Sequence, residues 1–190
     1  MKLAAIYPML FLFALLGGGS QMHAQEESTL EAPEAWSTER IPFPISFARE
    51  IPLVGVEDLK FAPGWSNAEA DDYWTYVFVW YVDDVGKISQ DSLTSWVNRY
   101  YDGLMGANAD NPEKGRTVTK YVKTPEGFEG QLEVFDNFFS KEMMVLYSQM
   151  TEQKCLETRK TIMRFNMSTR PFDHAVWQLM EEVKVIVDCK

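Results

Sequence analysis

The amino-acid sequence predicts an α+β fold, in which two helices pack on an antiparallel sheet of five to six strands after a proline-rich extended arm. Runs rich in β-branched and aromatic residues recur between turn residues, and two other stretches have the apolar spacing of a helix. The later runs are joined by short connections. Neighbouring strands with such connections are typical of an antiparallel meander.

The N-terminus predicts a cleavable secretory signal peptide over residues 1–24. Lys2 is followed by an uncharged stretch with an apolar block, and Ala24 supplies the small residue that signal peptidase requires. We therefore expect cleavage after Ala24. Because the apolar block is shorter than the roughly 20 residues that cross a bilayer, we expect no membrane span in the mature chain. The expected destination is the periplasm or the extracellular medium.

The mature chain is expected to contain one globular domain over residues 36–190, a length that suits a single core. Residues 25–35 are mostly acidic and small, which predicts a disordered lead-in. The arm that follows cannot be helical but can form extended edge segments. Its prolines are Pro42, Pro44, Pro52 and Pro63.

The strongest strand signal lies at residues 73–82, where aromatic and β-branched residues occupy both alternating faces. We therefore expect this strand to be covered on both sides. A helix should follow, with Ser89 or Asp91 as its N-cap and Gly106 near its end.

Four further runs predict strands, and a final helix follows them. An apolar stripe beginning at Val176 indicates this helix, with Asp173 as its N-cap, although alternation over residues 183–187 is also compatible with a strand. The four predicted strands are residues 117–123, 130–137, 143–150 and 159–167.

Two strings in the first half of the mature chain resemble an uncharacterised family of exported bacterial proteins. They are FPISFA, beginning at Phe43, and EDLKFAPGW, ending at Trp65. The order of elements is also similar to that of PsbP-like domains, which are antiparallel sheets with flanking helices. These resemblances imply an exported α+β domain and assign no activity.

Charge and cysteine content narrow the function classes further. The net charge of −10 disfavours binding to nucleic acid, because it repels phosphates. An oxidising compartment makes a disulfide between Cys155 and Cys189 the first expectation, with two separate buried thiols as the alternative.

The residues needed for most catalytic devices are missing. After signal cleavage His174 is the one remaining histidine, with an expected exposed or capping role, so a hydrolytic triad or a zinc site is disfavoured. Acidic pairs are interpreted as turn residues rather than calcium ligands, and no glycine-rich loop fits a phosphate or a dinucleotide. We predict no catalytic residue, metal or cofactor.

The function that these observations leave is an exported binding or protein-interaction module in the bacterial cell envelope, whose partner is an unknown envelope protein or a small ligand. The candidate ligand-binding residues are Trp65, Asp71, Asp72 and Trp74. A carboxylate-based hydrolase acting on glycans is the alternative, since that chemistry needs only two suitably spaced acids.

Trp65 is the residue at which binding and structural interpretations differ most. Pro63 and Gly64 fit the central positions of a type II turn, with the indole at its exit. The indole then either points outward to form a rim with the nearby acids, or folds back and attaches the arm to the strand at residues 73–82. The second arrangement is favoured.

Overall fold

The computed structural model describes residues 28–106 and 116–189, so the predicted signal peptide and its cleavage after Ala24 lie outside the described residues. The elements are β1 (Leu30–Glu31), β2 (Ser37–Pro42), β3 (Gly55–Phe61), β4 (Tyr76–Asp83), α1 (Gln90–Gly106), β5 (Val118–Lys123), β6 (Phe128–Phe135), β7 (Met143–Cys155), β8 (Lys160–Ser168), α2 (Val176–Glu181) and β9 (Lys184–Val185).

The main sheet joins two antiparallel meanders. Its strand order is β2-β3-β4-β8-β7-β6-β5, so β8 pairs with β4 at the centre and α1 connects the two halves. The predicted α+β class and antiparallel sheet are confirmed. The predicted strand number is too low, because the sheet has seven strands.

The two strands at one end of the sheet account for this difference. Six residues of β2 pair with β3, from Ser37 opposite Phe61 to Pro42 opposite Val56. The pairing spans the intervening proline-rich residues 43–54, and β2 is an edge strand with mostly exposed side chains. Such a strand has little hydrophobic alternation, so its non-local partner rather than its own pattern defines it.

Strand β4 is buried on both sides, as its sequence predicts. Phe78 and Trp80 face a core that also contains the inward residues of α1, and Val77 and Val79 face a second core under α2. We call the α1 side the front face of the sheet and the α2 side the back face.

Helix α1 begins at its predicted cap. The Ser89 hydroxyl oxygen accepts a hydrogen bond from the backbone N–H of Ser92 at 3.1 Å. Near the other end, an added Cβ at Gly103 would lie 1.8 Å from the carbonyl oxygen of Phe47. The glycine therefore lets the helix approach the segment before β3 closely, which places Phe47 beside the front face.

The residues before β2 differ from the predicted disordered lead-in wherever the structure describes them. Leu30 is 1% exposed and packs in the back-face core, while β1 pairs with β9. The backbone N–H and the hydroxyl of Thr29 both donate to Asp58 Oδ2, at 2.7 and 2.8 Å. The Leu30 side chain, the Asp58 carboxylate and the pairing of β1 with β9 together attach this segment to the rest of the fold.

The C-terminal apolar stripe divides between a helix and a strand. Helix α2 spans only Val176–Glu181, and β9 follows at Lys184–Val185, where the sequence allowed a strand. The predicted N-cap is wrong, because Ala175 holds that position without a side-chain cap. Instead, His174 Nδ1 accepts a hydrogen bond from the N–H of Val176 at 3.2 Å, consistent with a capping role.

A disulfide joins Cys155, the last residue of β7, to Cys189 near the C-terminus, which confirms the predicted pairing. Cys155 is buried in the back-face core. The bond therefore ties the last described residues to the main sheet. Within the described part of the chain, no helix is both long and apolar enough to cross a membrane.

Candidate aromatic binding pocket

An apolar pocket of about 200 Å³ opens on the front face, at the end of the sheet that contains β2 and β3. Seven of its eleven lining residues are aromatic, three are aliphatic and one is acidic. Such a composition is typical of small-molecule sites. The lining residues are Glu39, Ile41, Phe47, Leu59, Phe61, Trp65, Trp74, Tyr76, Tyr100, Leu104 and Phe138.

Strand alternation builds the floor of this pocket. Glu39 pairs with Leu59 across β2 and β3, and Phe61 pairs with Tyr76 across β3 and β4. Because side chains two residues apart share a face, the even-numbered neighbours on β2 and β3 point to the back face. Arg40 lies there, where its guanidinium contacts Asp58 at 2.7 Å.

Trp65 forms one wall and is half-buried. Its ring centroid lies 4.5 Å from that of Phe61, 5.2 Å from that of Phe139 and 6.1 Å from that of Trp74. The indole thus packs back on Trp74, two residues before β4, as favoured from the sequence, while it also lines the pocket. The structure therefore shows the folded-back arrangement, and the predicted rim of Trp65 with the nearby acids is not formed.

The turn before Trp65 is present but is not of type II. The N–H of Trp65 donates to the carbonyl of Ala62 at 3.1 Å, yet Gly64 lacks the positive φ that a type II turn needs there. Gly64 is required for space instead. An added Cβ would lie 2.0 Å from the Asp72 carboxylate, and Asp72 Oδ2 accepts the N–H of Gly64 at 2.8 Å.

The two predicted acidic ligands lie outside the pocket lining. Asp72 holds the turn at Gly64, and Asp71 contacts the guanidinium of Arg170 at 3.2 Å. Asp72 therefore helps to hold the segment that carries Trp65 and Trp74, whereas the ion pair of Asp71 is exposed to solvent and contributes little. The structure brings the two tryptophans together at the pocket, and the two aspartates lie outside its lining. Ligand contact by any of the four residues stays a prediction.

Trp74 is held in an uncommon backbone conformation, with a φ of 51°. Its N–H donates to the carbonyl of Trp65 at 2.9 Å, and its indole Nε1–H donates to Asp136 Oδ2 at 3.3 Å. Tyr73 also donates its hydroxyl to this carboxylate. The segment before β4 is thereby attached to the connection between β6 and β7.

Asp136 organises that connection and positions Phe138 at the pocket. Its carboxylate accepts the backbone N–H groups of Phe138, Phe139 and Ser140 at 2.8 to 3.0 Å. Burial alone would raise the pKa of Asp136, but the hydrogen bonds from Tyr73 and these amides outweigh it and lower the pKa to about 2. The carboxylate is therefore ionised and structural.

A second buried carboxyl group lies on the front face behind the pocket. Glu57 is fully buried on β3; its Oε1 accepts the Trp80 indole N–H at 3.1 Å, and its Oε2 has no hydrogen-bond partner among the described residues. Burial raises the pKa of Glu57 to about 8, against the opposing effect of the hydrogen bond from Trp80.

The pocket is acidic at its exposed edge. Glu39 is exposed on the edge strand, and none of the described residues that line the pocket is basic. The described chain contains no group of three or more side chains suited to hold a metal ion. Ligand binding here would thus depend on ring contacts and on one carboxylate.

Sequence reasoning missed most of the lining. Tyr76 and Tyr100 belong to an aromatic-rich stretch that is visible in the sequence, but that stretch also supplies the core. Glu39 and Phe138 carry no local signal, because they reach the pocket only through the pairing of β2 with β3 and the Asp136 turn.

Comparisons with known proteins leave the chain without an assigned relative. No protein-family model matches it, and neither the curated proteins nor the solved structures contain a match. The resemblances noted in the sequence therefore stay predictions. The fold and the pocket define an α+β domain with a small pocket lined by aromatic residues.

Proposed function

We propose that this protein is an exported binding module that holds a small, flat and mostly apolar ligand in its aromatic pocket. The observation that supports this most directly is a pocket of about 200 Å³ in which ten of eleven lining residues are apolar or aromatic. Stacking and burial of an apolar ligand surface would supply the affinity. The described disulfide is compatible with the expected exported location.

The pocket walls are held in place before any ligand binds. Trp65, Trp74 and Phe138 come from two connections that meet through the Asp136 carboxylate. Tyr100 packs against Phe47 and Phe78, with ring centroids 5.3 and 5.8 Å apart. Fixed rings lose little conformational freedom on binding, which favours affinity for a small ligand.

Glycan hydrolysis receives less support from the same site. That chemistry needs two accessible carboxyl groups on one cleft. Glu39 is the one acid among the described lining residues, and Glu57 behind it is 0% exposed. The mostly apolar lining also offers few hydrogen bonds to sugar hydroxyls, so ligand binding without reaction is the better-supported function.

Partner binding has a separate candidate surface on the back face. Four apolar side chains on β5 and β7 are exposed there, beside the part of the sheet that α2 covers. They are Val118, Val122, Met143 and Val145. Nothing among the described residues identifies what would cover this strip, so the proposal rests on the pocket.

Benzyl alcohol, a small neutral aromatic probe, tests the proposal. Its binding is monitored through the indole N–H signals in ¹H–¹⁵N correlation spectra. We expect the Trp65 and Trp74 signals to shift with increasing benzyl alcohol, because both indoles line the pocket. The Trp36 and Trp177 signals should stay in place, since those side chains belong to the back-face core.

Trp65→Ala should weaken benzyl alcohol binding about fivefold or more, by removing one wall. Trp36→Ala is the matched control, since Trp36 is also half-buried but lies on the back face. Leu104→Phe tests the same site by filling it, should Trp65→Ala not fold. Equal shifts of all indole signals, or unchanged binding in both pocket variants, would refute the proposal.

A further inference from the structure

We propose that the ligand of the aromatic pocket is a small organic cation, with its positive group at Glu39 and its apolar part among the rings. This inference rests on the proposed function, because it names the class of ligand for the same site. It depends on three features of the pocket: the position of its one carboxylate, the absence of a described basic lining residue, and the aromatic character of its walls.

Glu39 is placed to meet the charged end of such a ligand. It is the only acidic residue among the described residues that line the pocket, and it lies exposed on the edge strand β2. Its register partner Leu59 and the following front-face residue Ile41 are apolar. A carboxylate above an apolar floor favours a ligand with one positive end and one apolar end.

The basic side chains of the same strands are directed elsewhere. Arg40 contacts Asp58 on the back face, and Lys60 donates to the hydroxyl of Thr38 at 2.9 Å. Alternation along β2 and β3 therefore leaves Glu39 without a basic neighbour from these strands on the front face. An anionic ligand would meet this carboxylate without a compensating cation, in a protein whose net charge is already −10.

The walls suit a cation as well as an apolar group. Aromatic faces carry negative electrostatic potential and attract ammonium groups, and sets of aromatic rings recognise quaternary ammonium ligands. Trp65 and Phe61 are adjacent to each other, and Trp74 and Tyr76 are the next rings inward, with centroids 6.1 Å apart. All four rings line the pocket together with Glu39, so a trimethylammonium group bound at Glu39 would lie next to aromatic surface.

The experiment compares three probes that share a benzene ring and differ in charge. Benzyltrimethylammonium is the cation, benzyl alcohol is the neutral probe and phenylacetate is the anion. Affinities are measured by the indole shifts of Trp65 and Trp74 at pH 7 and low salt. We expect the cation to bind roughly two- to thirty-fold more tightly than benzyl alcohol, and phenylacetate to bind most weakly.

Glu39→Gln separates the charge contribution from the ring contacts. It should weaken benzyltrimethylammonium binding about two- to fivefold, as expected for an exposed ion pair, and leave benzyl alcohol binding unchanged. Glu133→Gln removes the same charge from an exposed position on β6 and should change neither affinity. Added sodium chloride should weaken binding of the cation alone.

The outcomes distinguish this inference from the function on which it rests. If benzyl alcohol binds as tightly as benzyltrimethylammonium, and Glu39→Gln affects neither, the pocket binds apolar ligands but the cation inference is wrong. Tightest binding of phenylacetate would also overturn it. If no probe shifts the Trp65 and Trp74 signals, the proposed function itself fails.

Discussion

Replacement of Glu57 by glutamine tests the buried carboxyl group behind the pocket. Glu57→Gln should remove most of the pH dependence of stability between pH 5 and pH 8. The carboxyl is fully buried, and burial raises its pKa from the ordinary 4.5 to about 8. Glutamine keeps an acceptor for the Trp80 indole N–H but cannot ionise.

The magnitude follows from these two pKa values. In the unfolded chain the carboxyl loses its proton near pH 4.5, whereas in the folded protein it keeps the proton until about pH 8. Between these values the folded state binds more protons, so the free energy of unfolding decreases as the pH rises. With about 1.4 kcal/mol for each factor of ten, Glu57 alone should lower stability by roughly 3 to 4 kcal/mol from pH 5 to pH 8.

Urea denaturation followed by tryptophan fluorescence at pH 5, 6, 7 and 8 measures this effect. The difference in unfolding free energy between wild type and Glu57→Gln should grow in favour of the variant as the pH rises. Glu133→Gln provides the control, because Glu133 is exposed on β6 and should follow the wild-type curve. Parallel curves for wild type and Glu57→Gln would refute the reasoning.

Two further predictions concern the bonds that hold the fold. Replacing Cys155 and Cys189 by serine should lower the free energy of unfolding by about 4 kcal/mol, as expected for a sequence separation of 34, and thiol titration of the unfolded, unreduced wild type should find no thiol. Asp136→Asn should cost about 2 to 3 kcal/mol in urea denaturation at pH 7. Because the pKa of Asp136 is lowered from 3.8 to about 2, its ionised carboxylate stabilises the folded protein above pH 3.8, and this stabilisation is lost as the pH falls through 2. If Asp136→Asn lowered the free energy of unfolding equally at pH 7 and pH 2, the prediction would be contradicted.

The buried glutamate whose ionisation should affect stability is paired with a tryptophan that contacts a residue lining the candidate pocket. Trp80 and Glu57 occupy paired positions on β4 and β3, and the Trp80 ring packs against that of the pocket residue Tyr100, with centroids 5.9 Å apart. Ionisation of Glu57 would add a buried charge that acts on Tyr100. The pH profile and the probe affinities should therefore be measured on the same variants.

The sequence by itself determined the elements whose signals are local. Strand β4, strands β5 to β8 and the start of α1 at Ser89 follow from alternation, helical spacing and capping residues within a few positions of each other. The sequence made a disulfide between Cys155 and Cys189 the first expectation, and the structure excluded the alternative of two separate thiols by placing the two sulfur atoms in bonding contact.

Tertiary structure alone decided the pocket and the edges of the sheet. Strand β2 is defined by its partner β3, and Leu30 is ordered by a core formed from β4, β8 and α2. The sequence makes Asp71 and Asp72 candidate ligands because they lie near Trp65. In the structure Asp72 accepts the N–H of Gly64 and Asp71 lies exposed beside Arg170, so neither lines the pocket. Contacts between residues far apart in the chain place Glu39 beside aromatic rings and bury Glu57 behind them, and no local pattern encodes such contacts.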